Sequence, residues 1–251
     1  MLSWRDRFKA SGIHFSISLS VAALAALLVF SVWYPYPYRD ISGGRELFLI
    51  LVTVDVILGP LLTFSIFDRR KSRRALAFDF SAIGLTQLAA LGYGLWVVFA
   101  ARPVHLVFEY DRFRVVHAVE VPQELLPKTP PGIDALPLTG PTMLPLRPTT
   151  GSERADAVMA ELAGTPTAAR PDFWQPYEAA RASVLQQAKP VSALKQRFPA
   201  QATLIEQGIA ASGRPAERLL YLPLYGRKEF WTALIDPDTT QVLATIPLEP
   251  Y

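Results

Sequence analysis

An apolar run at 47–67 constrains this chain more than any other feature, because it has 21 residues and a single charged side chain, Asp55. A run of this length fits the hydrocarbon core of a bilayer as one helix. It is followed at once by a basic cluster, which is typical of the cytoplasmic end of a membrane span. The cluster comprises Arg69, Arg70, Lys71, Arg73 and Arg74. We therefore predict a transmembrane helix at 47–67 whose C-terminal end faces the cytoplasm.

Two further apolar runs, 13–34 and 80–101, have 22 residues each and carry no formal charge. The first run is too long for the core of a signal peptide, and it ends in Trp33 and Tyr34 rather than in small residues of a cleavage site. Aromatic residues at the end of a run are typical of a span that stays in the membrane. The sequence thus predicts three transmembrane helices in a multi-pass membrane protein.

The distribution of positive charge predicts how the chain is oriented. Eight Lys and Arg residues flank the spans in 1–12 and 68–79, against five in 35–46 and the start of 102–251. Positive flanks favour the cytoplasmic side. We therefore predict a cytoplasmic N-terminus (1–12), a periplasmic loop (35–46), a basic cytoplasmic loop (68–79) and a periplasmic C-terminal domain (102–251).

The overall charge does not indicate a nucleic-acid-binding protein. The pI of about 9.2 comes from the first 101 residues, which hold 10 Lys/Arg and 6 Asp/Glu, whereas the remainder holds 15 and 16. The basic residues therefore flank membrane spans and do not form a polyanion-binding face. There is no cysteine, which excludes disulfides, thiol catalysis and zinc–thiolate sites.

Residues 102–251 predict one small α+β domain with an antiparallel sheet. A hairpin is expected around Asp111-Arg112, with Tyr110 paired to Phe113. A proline-rich irregular connection follows at 122–150. Helices are then predicted at 152–163, 174–189 and 192–212, with a break at Pro199 in the last one, and a three-stranded meander at 219–222, 229–235 and 241–246.

Asp55 is the most informative single residue, because a charged group at mid-depth in a bilayer is costly unless it has a partner. Gln87 in the third run lies at a similar depth and could hydrogen-bond to it. Two interpretations stay open: Asp55 fixes helix packing, or it recognises a polar group on another membrane helix. Pro60 is expected to kink the span and to free the carbonyl of Val56.

No catalytic, cofactor or metal site is predicted. His14 lies near the inner surface, and the expected hairpin register places His105 and His117 on opposite faces. Nucleophile, phosphate-binding and zinc-protease motifs are absent from the sequence. We expect no enzyme activity, and we expect the basic loop to determine topology rather than to bind a specific lipid.

Several stretches together resemble the type IV pilin accessory protein family. They are KASGIH (9–14), WYP (33–35), DISGG (40–44), VDVILGPLLT (54–63), KSRR (71–74), QLAALGYG (87–94), RPV (102–104), DRF (111–113) and YLPL (221–224). The resemblance covers the membrane part well and the C-terminal part more loosely.

The resemblance implies a factor that supports the assembly or function of type IV pili at the inner membrane, with no established catalytic residues. It also implies partners, namely a type IV pilin or other pilus assembly proteins, in addition to the lipid bilayer. In that family's process, pilin waits in the membrane as a single apolar helix with a carboxylate near its start. The alternative function is a membrane-tethered sensor or scaffold of another envelope system.

Overall fold

The structure, a computed structural model, describes residues 4–68 and 70–251. The chain divides into two compact units. The helical unit comprises the chain up to Pro35 together with Gly44–Ala101, and the sheet unit comprises Tyr36–Gly43 together with Arg102–Tyr251. The short loop between the first two spans therefore belongs to the sheet unit.

The helical unit contains three long helices: α1 (Trp4–Trp33), α2 (Gly44–Ile66) and α3 (Arg73–Ala100). Each is long and apolar enough to cross a membrane. The predicted runs lie almost wholly within them, although α1 and α3 begin earlier than the apolar pattern does. Ser72 explains the early start of α3, since its hydroxyl accepts a hydrogen bond from the Ala75 amide and caps the helix. The assignment of the connecting segments to sides of the membrane stays a prediction.

Tyr34 anchors one end of this three-helix bundle. Its ring is fully buried, and its hydroxyl donates to the carbonyl of Val98 at 3.1 Å. Gly44 permits this packing, because a Cβ at that position would overlap the Tyr34 ring. Tyr34, at the aromatic end of the first run, therefore packs inside the bundle.

The sheet unit is built on one seven-stranded sheet. The strands are β1 (Pro103–Glu109), β2 (Arg112–His117), β3 (Thr142–Pro145), β4 (Lys189–Pro190), β5 (Leu220–Tyr225), β6 (Phe230–Ile235) and β7 (Val242–Ile246). Their order is β3-β1-β2-β5-β6-β7, with β4 paired to β5. The predicted meander is confirmed as β5, β6 and β7, which pair antiparallel.

The prediction of a purely antiparallel sheet is wrong, because β1 pairs with β3 and β2 pairs with β5 in parallel. Parallel neighbours require long crossover connections, and this chain has them between β2 and β3 and between β3 and β5. The strand β3 lies in the proline-rich segment 122–150, which had been expected to be irregular. Its position at the sheet edge tolerates Pro145, since an edge strand can lack one ladder donor.

The hairpin of β1 and β2 is present, but its register differs from the predicted one. Phe108 pairs with Phe113, and Glu109 pairs with Arg112, so Tyr110 and Asp111 form the turn. Tyr110 has φ of 54° and is 68% exposed. Two-residue hairpin turns need a positive φ at one or both central positions. Tyr110 supplies it here, whereas pairing Tyr110 with Phe113 would move this residue out of the turn and into the strand.

Besides the single α-helical turn Tyr38–Ile41, the sheet unit has four α-helices: α4 (Gly151–Leu162), α5 (Arg181–Gln187), α6 (Val191–Arg197) and α7 (Ala202–Ser212). Thr150 caps α4 through a capping box with Glu153, so the helix begins one residue before the predicted start at 152. α5 is much shorter than predicted, because Trp174 is fixed in the core, where its indole N–H donates to the Ala168 carbonyl. Gly213, with φ of 67°, ends α7 as expected.

The segment Tyr36–Gly43 completes a core that the later strands build. Ile41 is fully buried among side chains such as Phe113 and Leu224. Its carbonyl accepts from the Lys228 amide at 3.1 Å, and a Cβ at Gly226 would overlap Ile41. Burial raises the pKa of Tyr38, which packs beside it.

Candidate functional site: a polar cluster in the helical unit

Pro60 lies at the centre of a local rearrangement of α2. The preceding residues, Val54–Leu58, form a π-helical turn, in which each amide bonds to the carbonyl five residues earlier. Proline has no N–H, so the carbonyl left free in this register is that of Asp55. The Gln87 side chain supplies the missing donor, because its Nε2 donates to the Asp55 carbonyl at 3.1 Å. The sequence argument had placed the free carbonyl at Val56, one residue later.

Gln87 reaches α2 because Gly59 leaves room for it. A Cβ at Gly59 would overlap the amide nitrogen of Gln87. The other end of the amide, Oε1, lies 2.7 Å from Nε2 of His14 on α1. Since Oε1 can only accept, Nε2 of His14 carries the proton. Gln87 thereby connects all three helices of the bundle.

His14 uses its second ring nitrogen as well. Nδ1 lies 2.6 Å from Oγ1 of Thr63, so in the neutral ring it accepts from the Thr63 hydroxyl. One turn earlier on α1, Ser11 donates to the carbonyl of Pro60 at 2.9 Å. The bonds form a directed chain from Thr63 through His14 and Gln87 to the backbone of α2.

Sequence reasoning missed Ser11, His14 and Thr63 as members of this cluster. Ser11 and His14 are three residues apart, and Gly59 and Thr63 are four apart, so each pair lies on one face of its helix. This spacing of small and polar residues in otherwise apolar helices was the available signal. It indicates close helix packing with hydrogen bonds across the interface.

Asp55 itself is only partly used by the cluster. The structure brings Gln87 to its backbone carbonyl and not to its carboxylate. The residue is 8% exposed, and within residues 4–68 and 70–251 its Oδ1 atom is buried without a hydrogen-bond partner. Of the three residues singled out from the sequence, Gln87 and Pro60 thus take part in the packing of the bundle. The Asp55 carboxylate does not form a hydrogen bond within the cluster.

The basic cluster lies at the junction of α2 and α3. Lys71 bonds to Asp79 at 2.6 Å, and the Arg70 amide bonds to the Asp68 side chain. Arg73 and Arg74 begin α3 and are exposed, whereas Arg69 lies outside the described residues. These contacts are local and leave positive charge on the surface, which suits a determinant of topology.

Both histidines of the sheet unit are held by hydrogen bonds to neighbouring groups of that unit. His105 lies between Thr142 Oγ1 at 2.8 Å and the Ala135 carbonyl at 3.0 Å, with its ring edge-on to Trp174. Burial lowers the pKa of His105 to about 4. His117 instead pairs with Glu120 at 3.0 Å. No cluster of three metal-ligating side chains occurs in the part of the chain that the structure describes.

The chain is similar to proteins named for fimbrial assembly. A family model described as Fimbrial assembly protein FimB matches residues 2–43. The serogroup I fimbrial assembly protein of Dichelobacter nodosus is 35% identical over 92% of this chain and 91% of its own length. The serogroup E1 protein of the same organism is 33% identical over the same shares of both chains.

A third relative, the D. nodosus fimbrial assembly protein of serogroups C1 and C2, is 45% identical over 48% of this chain and 92% of its own length. No solved structure matches the chain. The similarity to the serogroup I and E1 proteins extends over nearly the whole of both sequences, and it therefore includes both the three apolar helices and the sheet unit. The chain belongs to the family of fimbrial assembly proteins, and this confirms its resemblance to the type IV pilin accessory proteins.

Proposed function

We propose that this protein is a non-enzymatic factor of the inner membrane that assists the assembly of type IV fimbriae by contacting the fimbrial subunit. The observation that carries the proposal is the 35% identity, over 92% of the chain, to a protein named for fimbrial assembly. The three long apolar helices support a membrane location. The polar cluster holds the three helices together, and the Asp55 carboxyl group beside it, whose Oδ1 has no hydrogen-bond partner among the described residues, supports contact with a partner.

In the proposed orientation, the N-terminus and the basic loop lie in the cytoplasm and the sheet unit lies in the periplasm. The charge distribution of the sequence supports it. Alkaline phosphatase, which is active only in the periplasm, should be active when fused after residue 110 and inactive when fused at residue 72. The reverse pattern of activities would contradict the orientation.

We assign the partner contact to the Asp55 carboxylate, with Gln87 and Pro60 as the residues that position it. Gln87 holds the π-helical turn on which Asp55 sits, and Pro60 creates the free carbonyl that Gln87 bonds. A polar contact between membrane helices is worth only about 0.6–2 kcal/mol. Such a contact can bias an encounter without trapping a subunit that must move on into the fimbria.

The test is a clean deletion in the source organism, complemented with the wild-type gene. The deletion should reduce surface fimbriae and twitching motility, complementation should restore both, and the subunit should co-purify from gently solubilised membranes. A variant of an exposed residue away from the cluster, such as Val119→Ala, serves as the matched complementation control. Normal fimbriation in the deletion strain would contradict the proposal and favour a sensor or scaffold of another envelope system.

A further inference from the structure

A groove runs between α2 and α3 on the side of the bundle that carries the Asp55 carboxylate. Its volume is about 310 Å³. Each helix contributes five residues with the same spacing, which places them along one face of that helix. From α2 these are Leu47, Ile50, Leu51, Val54 and Asp55, and from α3 they are Ala90, Tyr93, Gly94, Val97 and Val98.

The base and the two sides of the groove are formed by different residues. Gly94 forms part of the floor, because a Cβ there would overlap the Leu51 side chain. Ile50 and Tyr93 are 67% and 68% exposed and stand at its two sides. Nine residues of each helix extend over about 12 Å, so the groove runs along the helix axes for roughly two turns. This shape fits a helix lying alongside α2 and α3.

Among the described residues that line the groove, Asp55 alone has a charged side chain. It lies at the middle of α2, with eleven residues on each side. Asp55 lines the groove with the small part of its surface that is exposed, 8%. Its Oδ1 is enclosed by the bundle without a hydrogen-bond partner among residues 4–68 and 70–251, and a buried carboxyl group with incomplete hydrogen bonding is costly in hydrocarbon. A lipid acyl chain could fill the apolar part of the groove, but it offers no hydrogen-bond donor.

The occupant must therefore be apolar and yet carry a donor at the depth of Asp55. A membrane-spanning helix meets both needs, because it satisfies its own backbone and can project one polar side chain. We propose that the groove between α2 and α3 binds the single membrane helix of the fimbrial subunit, with a donor of that helix bonded to the Asp55 carboxyl group. If the carboxyl group of that helix is itself the partner, one of the two carboxyl groups must be protonated, because two ionised carboxylates repel. The proposal rests on the function proposed above and names the binding surface and the chemistry of its partner.

The absence of cysteine from the native chain makes a crosslinking test direct. Tyr93→Cys places a single thiol at the exposed edge of the groove. Leu88→Cys, on the same helix and 66% exposed but outside the groove, is the matched control. Each is co-expressed in membranes with fimbrial subunits carrying one cysteine at successive positions of their membrane helix. Disulfide yields from Tyr93→Cys should peak every three or four subunit positions, and those from Leu88→Cys should stay at background.

The role of the carboxylate is tested in the Tyr93→Cys background. Asp55→Leu should lower the peak yield roughly three- to thirtyfold, whereas Asp55→Asn, which keeps hydrogen-bonding capacity, should lower it less. Yields are normalised to the amount of inserted protein. Ala90→Trp, which fills the groove and leaves Asp55 intact, should also abolish the peaks, and it keeps the test decisive if Asp55→Leu inserts poorly.

Equal yields from Tyr93→Cys and Leu88→Cys, or peaks unaffected by both Asp55→Leu and Ala90→Trp, would overturn the groove as the binding site. Either result could occur in a strain whose fimbriation still depends on the protein, so it would leave the proposed function standing. Normal fimbriation in the deletion strain would instead remove the proposed function, and the two failures are therefore distinguishable.

Discussion

The side-chain amide of Gln87 occupies the space that a Cβ at Gly59 would need. This contact lets Gln87 bond the backbone of one neighbouring helix and the His14 ring of the other. The position of the Gln87 side chain on α3 thus depends on the absence of a side chain at Gly59 on α2.

Gly59→Ala should therefore destabilise the helical unit by about 1–3 kcal/mol, because the added methyl group forces Gln87 away from its two partners. Gly92→Ala is the matched control, since a Cβ at Gly92 meets nothing within 4 Å. The measurement is thermal unfolding of the purified full-length protein in mild detergent. A Gly59→Ala midpoint equal to that of Gly92→Ala would contradict the overlap.

Gln87→Leu should cost about 1–3 kcal/mol, since it removes two interhelical hydrogen bonds and leaves the Asp55 carbonyl without a donor. The neighbouring Thr86→Val provides the control, because the Thr86 hydroxyl bonds only to the Ala82 carbonyl of its own helix. Both variants are compared by thermal unfolding in the same detergent. If Thr86→Val is as destabilised as Gln87→Leu, the hydrogen-bond chain does not hold the helices together.

The three apolar helices and the meander could be predicted, because a long uncharged run and strands bounded by turn residues are local patterns. The hydrogen bond from Gln87 to the backbone of α2 could not, because it depends on one register shift. An α-helical register at Pro60 leaves the Val56 carbonyl without a donor, whereas the π-helical turn leaves the Asp55 carbonyl without one. The shift is a property of the backbone at 54–58, which the apolar pattern of the sequence does not reveal.

The sheet was predicted in part for a similar reason. Each hairpin is specified locally, but the pairing of β2 with β5 joins segments about a hundred residues apart and is decided by packing. Tyr110 shows the same limit, because the alternation of apolar residues predicts its pairing with Phe113, whereas it lies in the turn with a positive φ.

Ile41→Ala should destabilise the sheet unit by about 2–5 kcal/mol, as expected for truncating a fully buried aliphatic side chain. Val119→Ala, at an exposed position of the same unit, should change stability by less than about 0.5 kcal/mol. Hydrogen exchange of β2 and β5 in the full-length protein reports on this core directly. Unchanged protection in Ile41→Ala would show that the segment 36–43 is not part of the core.

The stability of the sheet unit should fall as pH drops from about 6.5 to 4. Burial lowers the pKa of His105 from its ordinary 6.5 to about 4, so over this range the unfolded chain binds a proton that the folded chain does not. The stabilisation is complete above pH 6.5, and up to about 3 kcal/mol of it is lost at pH 4.

This pH dependence is measured by urea unfolding of the full-length protein at pH 7 and pH 4.5. His105→Gln is the control, because glutamine can still donate and accept hydrogen bonds but does not titrate. The variant should lose less stability than the wild type over this range. An equal loss in both proteins would assign the effect to other groups.

The position of Ile41 also determines when the core of the sheet unit can fold during synthesis. Ile41 leaves the ribosome before any of the sheet strands, yet its backbone bonds to Lys228 near the end of the chain. Contacts this far apart in sequence form late and slow folding. Until β5 and β6 have been synthesised, the segment 36–43 has no site to occupy. Maturation of this core is thus coupled to completion of nearly the whole polypeptide, and a fragment beginning at Arg102 would lack a residue of its own core.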